Sequence, residues 1–360
     1  MFIGHALLAF ALATLVADWR GWSARQALAL GLVAGAFAAI PDADMIYTVV
    51  ALDVGRLSAD TLRQPSVFWD ASRAVHRSIT HSLLISLAAG PAFGAWAAGT
   101  STSRGWLAVR AVASAILLSL VWAAWVYSGL AGAIVVGTFV AAGLIIARLA
   151  RTRTDLSGLT IALVATAGLL SHPWGDLVTG DPPQLLYPLD LQLVEQTVLL
   201  HADPTVHLLG AFALELAVVW LAAFAVARVA GRPLTALFER RAVIGVAYGV
   251  AAIVLTPPTL DVSYHFVFSI LGAGLFVGAF SITPNPLTGL LRQQSRLRRR
   301  RSLARQDAGS LRRTWLTALS MDLDGFLARY PTPFEAAFAA LGGVTVSLCS
   351  YGAVYMLVVG

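Results

Sequence analysis

Seven histidine and aspartate residues fall in four short clusters, and each cluster lies beside a long apolar segment. They are His5, Asp42 and Asp44 in the stretch PDAD, His76 and His81 in HRSITHS, and His172 and Asp176 in SHPWGD. Neutral imidazole and carboxylate are ligands that zinc, manganese and iron favour. The set is large enough for one or two divalent ions, so it predicts a metal centre with zinc or manganese as the expected metal.

Hydrolysis is the chemistry that such a centre suits. Two metal ions about 3.5 to 4 Å apart make a nucleophile from water at neutral pH and stabilise the leaving oxygen of a phosphoester. Arg77, directly after His76, is a candidate to pair with a phosphate, and Asp44 or Asp176 is a candidate to hold the proton. We therefore expect catalytic roles for Asp44, Asp176 and Arg77.

The spacing within two clusters favours a shared centre. Asp42 and Asp44 follow Pro41, which tends to end a helix, and in an extended segment residues i and i+2 point the same way. His172 and Asp176 are four positions apart and would share one helical face, although the proline between them predicts a kink or a helix start.

The composition is that of a polytopic membrane protein. The chain has 360 residues, 58% hydrophobic and 12% charged, with a mean hydropathy of +0.75. A helix needs roughly 20 apolar residues to cross a bilayer core. We predict an all-α fold with about ten transmembrane helices, near residues 2–17, 25–40, 79–98, 106–127, 131–148, 158–176, 206–229, 242–256, 265–283 and 333–358. The third would carry His81 in its first turn, with Ser78 or Thr80 as its cap.

Arginine placement predicts the orientation and the domain layout. Most arginines, including the run at 292–313, fall in alternate connections, which the positive-inside rule assigns to the cytoplasm. The four clusters then share the extracytoplasmic boundary of the cell membrane. We expect a metal-dependent hydrolase-like domain at 1–195, further transmembrane helices at 196–290, an arginine-rich cytoplasmic linker at 291–331 and a last transmembrane helix at 332–360. Membrane lipids are the expected partners, and nucleic acid is not.

The four clusters resemble the motifs of a known family. His5, PDAD, HRSITHS and the stretch SHPWGDLVTGDPPQLLYP look like the membrane-bound metal-dependent hydrolase family, which includes the LexA-regulated inner-membrane proteins of bacteria. The resemblance covers residues 1–190 and implies that His5, Asp42, Asp44, His76, His81, His172 and Asp176 are the metal ligands. It implies a hydrolase and leaves the substrate undefined.

A lipid or lipid-linked phosphoester is a better expected substrate than a soluble small molecule, because ligands at helix ends lie where headgroups lie. Two other functions stay open. An ion or metal transporter would use the same ligands, although transport sites usually lie near the bilayer midplane. A non-catalytic scaffold would use the metal only to join helices.

Further polar residues start later helices on the same predicted side, namely His201, Asp203, His207, Asp261 and His265. Short polar side chains at a helix start commonly accept hydrogen bonds from its first backbone N–H groups. We expect these residues to be interfacial caps, with an extension of the metal centre or substrate binding as the alternatives.

Overall fold

The computed structural model of the protein describes residues 2–45, 77, 79–98, 103–189, 191–233, 237–260, 262–282 and 331–358. Within these ranges every regular element is helical and no strand occurs. The α-helices are α1 (Phe2–Trp19), α2 (Ala24–Ala39), α3 (Leu83–Ala98), α4 (Arg104–Arg153), α5 (Gly158–Ser171), α6 (Pro204–Val229), α7 (Ala251–Val254), α8 (Tyr264–Ile282) and α9 (Pro331–Val358). The described 3₁₀ helices are Ile40–Met45, His172–Val178 and Arg240–Val250.

Five helices of the described chain are long and apolar enough to cross a membrane. They cover Ala24–Ala43, Arg104–Arg153, Gly158–Val178, Pro204–Val229 and Phe334–Val358, and shorter apolar helices cover Ile3–Trp19, Leu83–Ala98 and Tyr264–Ala279. These helices confirm the predicted all-α membrane architecture. The total of ten transmembrane helices stays a prediction.

Helix α4 is a hairpin of two antiparallel limbs that meet at Gly129. Its 50 residues would measure about 75 Å if straight, more than twice the thickness of a bilayer core. Gly129 breaks it with φ 63° and ψ −158°, a conformation essentially confined to glycine. Beyond the break, a Cβ on Gly132 would lie 2.7 Å from the carbonyl oxygen of Ala124, so the chain has reversed. The two limbs match the segments predicted at 106–127 and 131–148.

Hydrogen-bonding side chains mark the starts of three helices. Ser23 opens α2 in a capping box with Gln26, and Ser157 opens α5. At the start of α6, Asp203 accepts a hydrogen bond from the backbone N–H of Val206 at 2.8 Å. Each cap satisfies backbone donors that the first helical turn leaves without partners. The expectation that Asp203 is a cap is confirmed.

Glycines let the helices of the first part of the chain approach closely. A Cβ on Gly35 of α2 would lie 2.7 Å from the carbonyl oxygen of Ala6 in α1. A Cβ on Gly94 of α3 would lie 2.3 Å from the side chain of Ala162 in α5. Small residues at such contacts are how membrane helices gain packing in a solvent as apolar as their own side chains. The contact joins the first turns of α1, which carry His5, to the last turns of α2, just before the 3₁₀ helix that carries Asp42.

Helices α1 and α6 run parallel in contact with each other. Arg228 Nε donates a hydrogen bond to Asp18 Oδ2 at 2.6 Å, and Ala11 packs with Ala222. Both contacts pair a residue of α1 with one about 210 positions later, so His5 is level with position 215. Since α6 begins at position 204, it extends about 16 Å beyond the level of His5 at 1.5 Å per residue.

The chain divides into two compact units. The first comprises Met1–Arg232 and Pro257–His265, and the second comprises Pro233–Thr256 and Phe266–Gly360. In the second, the 3₁₀ helix Arg240–Val250 packs against α9, where a Cβ on Gly245 would lie 2.6 Å from the carbonyl oxygen of Gly343. Helix α6 lies in the first unit, whereas the predicted hydrolase-like domain ends at residue 195.

Candidate metal centre

The end of α2 positions Asp42. Pro41 has no N–H to continue the α-helical ladder, and the chain tightens into the 3₁₀ helix Ile40–Met45. The predicted extended geometry of this segment is wrong, and at three residues per turn positions 42 and 44 fall on different sides of the helix. In a 3₁₀ helix each N–H bonds to the carbonyl three residues back. The residue three positions after Ala38 is Pro41, which has no N–H, so the carbonyl of Ala38 is available to another partner.

His172 and Asp176 lie on the 3₁₀ helix His172–Val178, which continues α5 after Ser171. The kink predicted at Pro173 is confirmed. The Nδ1–H of His172 donates a hydrogen bond to the carbonyl oxygen of Ala38 at 2.7 Å. A neutral imidazole carries one proton, so this bond leaves Nε2 with a lone pair directed into the cluster.

His81 lies just before α3 and not in its first turn as predicted. The helix begins at Leu83, and Ser82 caps it, with Oγ accepting from the N–H of Ile85 at 3.4 Å. The Ser82 hydroxyl also donates to the carbonyl oxygen of Tyr187 at 2.8 Å, and the N–H of Leu83 donates to that of Leu185 at 2.8 Å. The LLYP stretch therefore braces the segment that carries His81.

Five of the predicted ligands converge on one cluster. The side-chain nitrogen and oxygen atoms of neighbouring members of this cluster lie 3.0 to 3.9 Å apart. Asp176 Oδ1 lies 3.2 Å from His5 Nε2, and Asp176 Oδ2 lies 3.3 Å from His81 Nε2. Asp42 Oδ1 lies 3.5 Å from His172 Nε2 and 3.7 Å from His81 Nε2. The two histidine Nε2 atoms of His81 and His172 lie 3.0 Å apart.

The donor set of this cluster fits a divalent cation. The side chains of His81 and His172 are fully buried, that of Asp176 is 3% exposed and that of Asp42 is 12% exposed. Asp42 Oδ2 is buried and has no hydrogen-bond partner among the residues that the structure describes. Buried carboxylate oxygens of this kind are costly unless they are paired or coordinate a metal. The second nitrogen of His172 is held by a backbone carbonyl, as is usual for metal-ligating histidines.

Arg77 lies behind Asp176. Its Nη2 is 3.4 Å from Asp176 Oδ1, and Nη2–H also donates to Thr179 Oγ1 at 3.3 Å. Nη1–H donates to the carbonyl oxygen of Asp181 at 2.9 Å, and a Cβ on Gly180 would lie 2.7 Å from Nη1. The guanidinium therefore joins the Asp176 carboxylate to the loop that follows it. This geometry suits a positioning role for Arg77 better than the predicted contact with a phosphate.

Comparison with known proteins places the chain in a family. The family model described as YdjM inner membrane protein matches residues 1–256, a range that contains all five converging side chains. The chain belongs to the YdjM inner membrane protein family. No curated protein and no solved structure matches it. The family confirms the predicted membrane location, and its description names no activity.

Two predicted ligands of this YdjM-family protein are not part of the observed geometry. His76 and the side chain of Asp44 lie outside the described residues, so their roles as ligand and catalytic residue stay predictions. Asp261 also lies outside them. His201 is exposed and its Nδ1 accepts from the N–H of Asp203 at 3.0 Å. His207 is buried and its Nδ1 accepts from the N–H of Leu200 at 3.1 Å.

Sequence reasoning missed three groups. Thr80 Oγ1 lies 3.1 Å from His81 Nδ1, and the carbonyl of Ala38 orients His172. Glu215 is the only acidic residue in α6 and is half-buried at the level of His5, with no hydrogen bond or ion pair among the described residues. The sequence could have indicated Glu215, because an ionisable side chain within an apolar membrane span is energetically costly and usually has a function.

Proposed function

We propose that this YdjM-family protein is a membrane-embedded metal-dependent hydrolase. One divalent ion, zinc or manganese, would be held by His5, Asp42, His81, His172 and Asp176. The observation that supports this is the convergence of these five side chains, from separate parts of the chain, on one buried cluster. Two carboxylates and one guanidinium leave this cluster with a net negative charge when the imidazoles are neutral, which favours a dication.

The way the ligand atoms are shared supports one ion rather than two. Two groups have ligand atoms within 4.8 Å of one another: His5, Asp42 and His172 form one, and His81, His172 and Asp176 form the other. Both use His172, whose Nδ1–H is bonded to the carbonyl of Ala38. Only Nε2 remains for coordination, and a single imidazole nitrogen binds a single ion.

The chain's own residues would divide the remaining work. A bound divalent ion supplies Lewis acidity, which activates water and polarises a phosphoryl oxygen. Asp176 is held from two sides by His5 and Arg77, so it serves best as a fixed ligand. Asp42 is the more exposed carboxylate, and within the described part of the chain its Oδ2 has no hydrogen-bond partner, so that atom is best placed to hold a proton.

A lipid or a lipid-linked phosphoester is the proposed substrate class, on the extracytoplasmic side of the membrane. The arginine distribution supports the side, by the positive-inside rule. The placement of the ligands at the ends of membrane helices supports the substrate class, because headgroup chemistry takes place at this level.

Elemental analysis of the purified protein tests the proposal. We expect about one zinc or manganese ion per chain, with loss of the ion in His81→Ala and in Asp42→Ala. His265→Ala is the matched control, since His265 is exposed and lies outside the cluster, and it should keep the ion. Hydrolysis of phospholipids or lipid-linked phosphates in mixed micelles should then disappear with a chelator and return with the metal. A folded wild type that binds no added metal would exclude the hydrolase.

Metal or ion transport is the second candidate, and Glu215 is the observation that favours it. This carboxylate lies within α6 at the level of His5, about 16 Å from the start of that helix. Acidic side chains inside membrane spans commonly line ion paths, and transport sites lie well within the bilayer.

Flux measurements separate the two candidates. For a transporter, metal uptake into proteoliposomes would require the protein and would fall in Glu215→Gln, while Glu195→Gln, at an exposed glutamate outside the helices, would behave as wild type. For a hydrolase, no uptake is expected in any of the three, and substrate turnover depends on His81 and Asp42.

A further inference from the structure

The connection between the 3₁₀ helix His172–Val178 and α6 exposes large apolar side chains although it is not helical. Between 43% and 67% of their surface is exposed. We call this set the apolar lip, and it consists of Leu189, Leu191, Leu193, Val198, Leu199 and Leu200. Exposed apolar patches of this kind on a protein usually mark a contact surface.

The apolar lip is held in place by hydrogen bonds to the backbone just after Asp176 and to α6. The N–H of Val198 donates to the carbonyl oxygen of Leu177 at 2.7 Å, and the hydroxyl of Thr197 donates to that of Gly180 at 2.8 Å. The N–H of Leu200 donates to His207 Nδ1 at 3.1 Å. The leucines are therefore presented by an anchored backbone beside the loop that follows Asp176.

Polar residues occupy separate positions within the same connection. Gln192 lies between two exposed leucines, and Glu195 and Gln196 separate the first three apolar residues from the last three. All three polar residues are exposed. The segment is thus amphipathic, as expected of chain that lies between hydrocarbon and water.

The position of the apolar lip identifies what covers it. Leu177, to which the lip is bonded, is the last residue but one of the apolar span Gly158–Val178, and the lip leads directly into the span Pro204–Val229. A segment tied to the ends of two membrane spans lies at the bilayer boundary, where acyl chains are the neighbouring apolar material. Trp174, in the 3₁₀ helix that carries Leu177, is also 53% exposed, and its ring N–H donates to the carbonyl oxygen of Leu170.

We propose that the apolar lip inserts into the host bilayer, so that lipid acyl chains contact residues 189–200 beside the loop that follows Asp176. The connection between the two spans is then a membrane-contacting surface and not an aqueous loop. Lipid is its partner, and the contact exists whether or not the centre hydrolyses anything.

Site-directed fluorescence tests the insertion. The single cysteine makes this direct: in a Cys349→Ser background, Leu193→Cys and Leu199→Cys are labelled with an environment-sensitive probe in liposomes. We expect blue-shifted emission that is quenched by phosphatidylcholine brominated near the headgroup end of its chains and protected from aqueous iodide. Glu195→Cys is the matched control, from the same connection, and should show the opposite pattern.

Two outcomes would overturn the proposal. Iodide access at positions 193 and 199 equal to that at position 195 would place the lip in water. Protection of both positions from bromine and from iodide would mean that a second protein chain covers it. Leu191→Cys carries the same expectation if one of the first two variants fails to fold, as judged by size-exclusion chromatography. Repeating the labelling in a His81→Ala background keeps this result independent of the proposed metal.

Discussion

At the residue scale, Asp176 is the side chain on which the candidate centre depends most. Its Oδ1 lies 3.2 Å from His5 Nε2 and 3.4 Å from Arg77 Nη2, and its Oδ2 lies 3.3 Å from His81 Nε2. Of these three neighbours, Arg77 is the one that also bonds to the loop that follows Asp176. A planar guanidinium reaches the carboxylate and the loop carbonyls together, which a lysine ammonium does not.

Arg77→Lys is therefore expected to weaken metal binding by about 10- to 100-fold, the usual effect of losing a partner that orients a ligand. Competition with a fluorescent chelator in detergent measures the affinity. Arg104→Lys, at an exposed position at the start of α4, is the control and should bind as wild type. Unchanged affinity together with lost hydrolysis would instead return Arg77 to the predicted contact with a phosphate.

The five converging side chains could be picked out because histidine and aspartate stand out in an apolar chain, and each cluster is local in sequence. Their partners could not. The carbonyl of Ala38 meets His172 only because the end of α2 and the end of α5 approach each other. The positive charge of Arg77 is evident from the sequence, but only the fold shows that the carboxylate beside it is that of Asp176.

At the element scale, breaks between helices were easier to predict than the geometry at each break. The hydrophobic pattern correctly separates the two limbs of α4 near Gly129. Pro41 correctly signals the end of α2, yet proline is compatible with an extended segment and with a 3₁₀ turn. The choice of the 3₁₀ turn depends on packing against the rest of the first unit, which no local pattern contains.

Gly129→Ala is expected to destabilise the protein by about 1 to 3 kcal/mol, because alanine is strained at φ 63° and ψ −158°. Gly137→Ala is the control, since Gly137 is helical and nothing lies within 4 Å of an added Cβ. Thermal unfolding in detergent compares the two variants. An unfolding midpoint for Gly129→Ala equal to that of Gly137→Ala would mean that residue 129 does not adopt the positive-φ conformation.

At the scale of the whole molecule, all five converging side chains lie in the first of the two compact units. The second unit has its own helix packing, in which Gly245 meets the backbone of α9. The family match covers residues 1–256, so most of the second unit lies outside it. Metal binding and the stability of the second unit should therefore respond to different substitutions.

Gly245→Leu is expected to lower the thermal stability by about 1 to 3 kcal/mol through overpacking, while the metal content stays that of the wild type. Gly272→Leu, in α8, is the control, because no atom lies within 4 Å of an added Cβ there. Unfolding midpoints and elemental analysis on the same samples give both quantities. Loss of metal in Gly245→Leu alone would show that the second unit supports the centre.

The bond from His172 to the carbonyl of Ala38 has a consequence for how this centre can change over generations. The acceptor is a main-chain oxygen, so no substitution at position 38 alters its chemistry. The tautomer of His172 is therefore set by the backbone conformation at the end of α2 and not by the type of a neighbouring side chain. Substitutions can change this bond by moving the backbone at the end of α2, for example at Pro41, but not by changing the acceptor group.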